Sequence, residues 1–337
     1  MQDLNIAVLG AGVIGITTAV ELQKQFRNAK INVIADKFGE DTTSAVAAGI
    51  FRPGTGFMGP SKDITQKWVN DSYYYWDDIR RSVEGPNAGV AEISGYLFSS
   101  EFKEIVKNHY LEKLLPIYRR TTEEELKLCK GDWKYGTFFT TVVTQNSYYL
   151  PWSTKKFLAA GGNILEKKVN YFSDVANDYN VVVNCTGLGA KALCSDNQLV
   201  PIRGQVIKVK APWIKTFFYG NYDTYILPGL DSVTLGGTRQ YESYDKSVNK
   251  YDGLSIKERC EEFVPSLRGA EVIAHKVGLR PHRTPVRVEK EVLNLNGNKV
   301  NIVHNYGHGG YGVTTAPGTS LYAVGLVKEM LMGNCKL

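Results

Sequence analysis

The 337-residue sequence has few cysteines, no long apolar run and no concentrated block of one charge. Cys129, Cys185, Cys194, Cys260 and Cys335 are scattered, odd in number and never spaced C-x-x-C, which argues against a disulfide framework and against a zinc site. No stretch reaches the roughly 18 apolar residues that suggest a membrane span. Met1-Gln-Asp-Leu-Asn lacks a basic segment followed by an apolar one, so the expectation is an intracellular protein without a secretory signal. The 40 basic and 34 acidic residues leave a net charge of +6 that is spread along the chain. That balance slightly favours an anionic substrate and provides no basic tract for nucleic acid. There is no internal repeat and no low-complexity linker. What remains is ordinary for a soluble globular enzyme, 43% hydrophobic and 22% charged, and long enough to predict two joined domains.

Against that background one stretch stands out. Asn5-Ile-Ala-Val-Leu-Gly-Ala-Gly-Val-Ile-Gly15 runs an apolar strand into three glycines spaced G-x-G-x-x-G, with a helical pattern following at once. Gly10 suits the tight turn, Gly12 a close approach of backbone to a pyrophosphate, and Gly15 close packing of helix on strand. The helix N-terminus offers unpaired N–H groups to the anion. Ile31 to Asp36 then predicts a second strand ending in a carboxylate, placed to bind a ribose hydroxyl. Strand, glycines, helix, strand and acid in this order point to a dinucleotide, with NAD and FAD both open.

Along the chain, Val13–Phe26 reads as a helix and Asp41–Gly49 as a small, hydroxyl-rich turn that could pass close to a cofactor. Gly54–Gly59 marks an exit from the nucleotide-binding unit. Trp68–Trp76 predicts a buried aromatic helix and Gly89–Ser99 a strand. Glu101–Lys130 is read as surface helices, with Glu123, Glu124 and Glu125 at a solvated start. Phe138–Val143 reads as a strand, and Pro151 as the first turn of a helix. The apolar run at Val181 predicts a parallel strand buried on both faces, so the nucleotide-binding sheet resumes there and its domain is discontinuous. From Pro201 the pattern alternates as antiparallel sheet does, with segments near 205–209, 224–227 and 233–238, then a helix near Ile256–Phe263. Val300–His304 is a late strand leading into a glycine cluster at 307 to 312, with a final helix over Leu321–Met332. A helix N-terminus brought to the cofactor there suits a group that becomes negative, such as a reduced flavin.

Several of these segments together resemble the D-amino-acid oxidase and D-aspartate oxidase family of FAD flavoenzymes over almost the whole chain. The motifs are Gly10 to Gly15, Ala35-Asp-Lys-Phe38, Thr42-Thr43 with Val46-Ala-Ala-Gly49, Val183-Asn-Cys-Thr-Gly187, Arg203-Gly-Gln205, Thr224 to Gly229, Gly278-Leu-Arg-Pro281 and His304 to Gly312. The resemblance implies an α/β fold in which a discontinuous Rossmann-like FAD-binding domain (1–52, 140–200, 270–337) joins a mixed antiparallel-sheet substrate domain (53–139, 201–269). It implies FAD contacts from Gly10, Gly12, Val13, Ile14, Gly15, Asp36, Lys37, Thr42, Thr43, Ala48, Gly49, Val169, Gly187, Gly309, Gly310, Gly312, Val313 and Thr314. It also implies oxidation of a D-amino acid by hydride loss to the flavin, hydrolysis of the imino acid, and reoxidation by dioxygen to hydrogen peroxide. No protein nucleophile is needed.

In that family pattern Arg280 clamps the substrate α-carboxylate, the Tyr225 hydroxyl meets the same group, and the Gly310 carbonyl receives the ammonium. Read alone, Arg280 would be a surface arginine beside a proline turn and Tyr225 a packed strand aromatic. His308 is a motif residue near the flavin, without an assigned proton role. Several departures separate the chain from the neutral-substrate oxidases. Their second tyrosine falls at Asn221, with Tyr222 adjacent and out of register; Arg239 stands where they lack a charge, and Arg52 where they have glutamine. Either arginine could pair with a side-chain carboxylate, and a buried arginine without such a partner would be costly. The expectation is therefore an acidic D-amino acid, D-aspartate or D-glutamate, with a neutral D-amino-acid oxidase or a catalytically weak flavoprotein as alternatives. Tyr219 replaces an arginine of the D-aspartate oxidases, and Thr315–Ser320 departs from the family signature in a way that could alter substrate size or catalytic competence. Cys335-Lys336-Leu337 resembles a peroxisomal address, which implies an import receptor as partner and peroxisomal localisation.

Overall fold

The central strands form where apolar residues run without interruption. In the computed structural model, which describes residues 4–221, 223–295 and 297–333, the chain builds fourteen strands and seven α-helices among the described residues. Its first part comprises β1 (Asn5–Leu9), α1 (Val13–Gln25), β2 (Lys30–Ala35), α2 (Lys62–Arg81), the short α3 (Gly85–Ala88), β3 (Val90–Ser99), β4 (Ile117–Arg120), β5 (Tyr135–Thr144) and α4 (Asn146–Ala159). Next come β6 (Asn163–Glu166), β7 (Val181–Asn184), the short α5 (Ala190–Leu193), β8 (Val200–Lys210), β9 (Phe217–Gly220), β10 (Thr224–Pro228), β11 (Val233–Gly236) and β12 (Gln240–Tyr241). The last elements are α6 (Lys250–Phe263), the long β13 (Glu271–Leu295), β14 (Asn298–His308) and α7 (Gly312–Gly333).

The strands form one sheet in the order β4-β5-β3-β9-β10-β11-β8-β13-β14-β7-β1-β2-β6, with β12 paired to β8. The end from β14 to β6 is parallel, and every residue of β7 is buried, as the Val181 run predicts. The antiparallel pairs of β8, β10, β11 and β13 follow the alternation seen from Pro201 onward. The fold class expected from sequence, α/β with a Rossmann-like parallel part and a mixed antiparallel part, is the one observed. Strand β1 lies between β2 and β7, so its carboxyl end opens where the sheet order reverses, the place such sheets bind ligands.

Helix α1 is buried on nearly all sides because it packs under both α4 and α7. The contact with α7 is polar as well as apolar: Thr18 Oγ1 and Ser320 Oγ are 2.8 Å apart, and the Gly318 N–H donates to Ser72 Oγ of α2 at 2.8 Å. Helix α2 adds Trp68, edge-on to Tyr322 with ring centroids 5.4 Å apart.

Three expectations need correction. Residues 101–130 hold turns, the strand β4 and one 3-10 turn at Glu125–Lys127 rather than surface helices. Glu125 is no idle solvated carboxylate: it takes a fork of two bonds from Arg119 at 2.7 Å and one from the Tyr96 hydroxyl at 3.1 Å. Arg119 and the Thr122 N–H hold its pKa down at about 2. Pro151 lies inside α4 rather than in its first turn, because the helix already starts at Asn146. The terminal helix starts at Gly312, nine residues earlier than Leu321, and its Gly318 lies so close to α2 that a Cβ there would meet the Trp68 carbonyl oxygen.

Candidate active site

One cavity of about 1150 Å³ runs along the carboxyl ends of β1 and β2 and on beneath β8, β10 and β13. Small-molecule sites usually enclose about 300–1,000 Å³, so it has room for a dinucleotide and a substrate together. Its first wall is the turn between β1 and α1. Gly10 has φ of 100°, a left-handed conformation that favours glycine, and a side chain on it would meet the Cys185 carbonyl oxygen. Gly12, Val13 and Ile14 line the cavity; the Val13 N–H donates to Ser44 Oγ at 3.0 Å. Gly15 does not line it. A Cβ there would run into the carbonyl oxygen of Gly10, so Gly15 serves helix-on-turn packing rather than direct contact.

Asp36 lies exposed at the end of β2, on the rim, beside Lys37. Thr42, Thr43, Ala48 and Gly49 form the adjacent wall, with Val169 and Gly187 opposite. At the far end come Gly309, Gly310, Gly312, Val313 and Thr314, which set the N-terminus of α7 against the cavity. A carboxylate at one end, bare turn backbone and a helix N-terminus in the middle, and a second helix N-terminus at the other end fit an adenine dinucleotide with a redox-active head. These residues would hold FAD.

The substrate end is built from strands. Arg280, in mid-strand rather than beside a surface turn, lays its guanidinium over Gly204 of the neighbouring strand β8, where any side chain would collide with it. Its Nη1 donates to the Thr238 carbonyl at 3.0 Å. Thr238 is fixed in turn, because its Oγ1 accepts the Gln205 N–H at 2.9 Å. Below it the buried Arg203 donates to Gln240 Oε1 at 2.6 Å, Asp252 Oδ2 at 2.7 Å and the carbonyl oxygens of Asp245 and Ser247. A buried cation with such partners secures the segment that carries Thr238. In the sequence Arg203-Gly-Gln205 is a motif of the resemblance with no role attached to it. A charged residue among the apolar Pro201, Ile202, Val206 and Ile207 is the available signal.

Tyr225 packs its ring against Gly236 and Gly237, beside Arg280. Burial raises its pKa, opposed by the charges of Arg280 and Arg239, so the hydroxyl stays protonated and able to donate. Arg52 lies across the cavity, its Cζ 4.4 Å from the centroid of the Tyr219 ring. Arg239 also lines the cavity but is exposed, and its Nε stands 3.4 Å from Asp223 Oδ1. The cost of an unpaired buried arginine therefore does not apply to Arg239. Asn221 turns away from this group: its side chain bonds with Ser100, and Tyr222 lies outside the described residues.

The histidines of the glycine cluster are structural. His308 is buried, with Nε2 3.0 Å from Thr319 Oγ1, and burial drives its pKa down to about 3. A base near neutral pH cannot be made from it. His304 pairs with Glu291 at 2.8 Å, and burial lowers its pKa too. Thr315, Thr319 and Ser320 are buried and line no part of the cavity, so the altered segment acts on helix packing and not on substrate size. Among the described residues no group of three His, Cys, Asp or Glu side chains is placed to hold a metal ion.

The model of the FAD dependent oxidoreductase family matches residues 5–326. The chain belongs to that family. Among its relatives in the family, the D-aspartate oxidase of Homo sapiens is 40% identical over 333 residues, covering 98% of this chain and 96% of that protein. The D-amino acid oxidase of Dugesia ryukyuensis is 33% identical over 341 residues, covering 98% and 99%. Glycine oxidase from Geobacillus kaustophilus shares the fold, with a TM-score of 0.77 over 96% of this chain and 94% of that one at 18% identity.

Proposed function

We propose that the protein catalyses the oxidative deamination of acidic D-amino acids, D-aspartate first and D-glutamate second, to the oxo acid, ammonia and hydrogen peroxide. The observation that carries the acidic choice is Arg52: half-buried on the cavity wall, it has no carboxylate within ion-pair distance among the described residues. A second carboxylate on the substrate would supply the missing charge. The names of the relatives, D-aspartate oxidase and D-amino acid oxidase, agree with the reaction class.

Bound FAD would accept two electrons as hydride and pass them to dioxygen. The chain's part is to bind and orient. Arg280 would hold the α-carboxylate through parallel N–H bonds, Tyr225 would add its hydroxyl, and the Gly310 carbonyl would accept from the ammonium. Residues 1–52, 140–200 and 270–337 would form the FAD-binding domain, and residues 53–139 and 201–269 the substrate domain.

Single replacements separate the two candidate specificity arginines. Arg52→Met should lower kcat/KM for D-aspartate by about tenfold or more with a smaller loss on D-alanine, the range of one charge-assisted bond. Arg239→Met, removing an exposed and already paired group, should have the smaller effect. Steady-state peroxide assays on both substrates check this; loss of both arginines with an unchanged preference for D-aspartate would sink the acidic reading. Activity on D-alanine with none on D-aspartate would point to the neutral enzyme.

Cys335-Lys336-Leu337 lies outside the described residues, and its role as a peroxisomal address belongs with this proposal. No helix among the described residues is long and apolar enough to cross a membrane. Deleting the tripeptide should disperse a fluorescently tagged protein into the cytosol, whereas unchanged punctate fluorescence would contradict import through this tail.

A further inference from the structure

Arg52 is held from two directions. Its backbone is pinned on both sides: the Phe51 N–H donates to the Val142 carbonyl at 2.8 Å, and Asn108 Nδ2 donates to the Pro53 carbonyl at 2.7 Å. Its side chain, with four rotatable bonds, would still sweep the cavity if nothing fixed the far end. What lies against that end is the face of Tyr219, 4.4 Å from the guanidinium carbon.

That ring is closely packed. Tyr219 sits in β9 opposite Tyr225 of β10 and Leu97 of β3, is only 7% exposed, and packs against the rings of Tyr225 at 5.6 Å and Phe217 at 6.2 Å. Burial pushes its hydroxyl pKa up to about 12, so it presents a neutral aromatic face. The ring quadrupole favours a guanidinium over such a face, leaving the N–H groups that point away from the ring to meet a planar carboxylate.

We infer that Tyr219 is a specificity-positioning residue: its ring fixes the Arg52 guanidinium where it can receive the side-chain carboxylate of the substrate. Tyr219 itself meets no reacting atom. The inference rests on the acidic-substrate reading above and adds the residue through which Arg52 is aimed. It also links the two ends of the substrate, since the Tyr219 ring abuts Tyr225 at the α-carboxylate end.

The test compares D-aspartate with D-asparagine, which has nearly the same shape without the side-chain charge, for the holoenzyme and for Tyr219→Leu, Tyr219→Phe, Arg52→Met and the Arg52→Met/Tyr219→Leu pair. Tyr219→Leu should lower the D-aspartate to D-asparagine ratio of kcat/KM by about tenfold, equivalent to about 1.4 kcal/mol, chiefly through KM for D-aspartate. Tyr219→Phe, which keeps the ring, should restore the ratio to within about twofold of the parent. In the Arg52→Met background Tyr219→Leu should change the ratio no further. Bound flavin and melting temperature report separately whether each variant is folded. Equal losses on both substrates, failure of Tyr219→Phe to rescue, or a Tyr219→Leu effect that persists without Arg52 would overturn the inference. A parent enzyme without preference for D-aspartate, or an Arg52→Met variant that keeps it, would overturn the underlying reading first, before any Tyr219 variant is measured.

Discussion

Arg280→Ala should cut kcat/KM for D-aspartate by roughly 30-fold or more, a loss of about 2–5 kcal/mol, while leaving bound flavin unchanged. The size follows from how the side chain is held. Its guanidinium rests on the bare backbone of Gly204 and is tethered to the Thr238 carbonyl, so the fork is oriented before substrate arrives. Removing it would strand the α-carboxylate against Tyr225 alone, in a wall already closed by Gly236 and Gly237. Arg280→Lys should recover little, because an ammonium replaces two parallel bonds with a point charge. The check is a steady-state KM and kcat for each variant, with flavin absorbance per mole of protein alongside. A near-normal KM and turnover in Arg280→Ala would reject the clamp.

Gly15→Ala should produce the other large effect, at the opposite end of the cavity. The added methyl would fall on the carbonyl oxygen of Gly10, and both are backbone of the turn that must hold the pyrophosphate. Relief requires lifting α1 from β1, at a cost of about 1–3 kcal/mol of overpacking and with loss of the amides aimed at the cofactor. The variant should purify pale and melt at a lower temperature, and added FAD should restore only part of the stability. Gly12→Ala is the instructive contrast: within the protein its methyl would meet the Ser44 hydroxyl at 3.1 Å, so it would crowd the bound pyrophosphate without lifting the helix. Equal flavin content in parent and Gly15→Ala would show that the close approach of helix and turn has no bearing on cofactor retention.

The parts legible in the sequence are those where one physical requirement dominates a short segment. The Val181 run could only be a doubly buried parallel strand, and Gly10, Gly12 and Gly15 carry their roles in their spacing. Residues 101–130 were misleading because charged residues at helix-compatible intervals also occur in turns; Glu125 is spent on Arg119 and Tyr96, partners on β4 and β3 that no local pattern reveals. The start of α7 was hidden by its glycines and Pro317, which are poor helix formers and are tolerated there because Gly318 must pass close to Trp68. At the substrate end, type and position were readable for Arg52, Arg239 and Arg280. Their different states were not: Arg239 in water beside Asp223, Arg52 on an aromatic face and Arg280 on a glycine floor are tertiary facts.

In the proposed reaction the cavity selects an acidic D-amino acid and delivers its α-hydrogen to FAD. Mixing the purified yellow protein anaerobically with D-aspartate, L-aspartate and D-alanine, and following the flavin absorbance, tests it most directly. D-Aspartate should bleach the flavin rapidly, D-alanine more slowly and L-aspartate not at all, with hydrogen peroxide formed once air is admitted. A flavin that stays oxidised with D-aspartate, or that D-alanine bleaches faster, would contradict it.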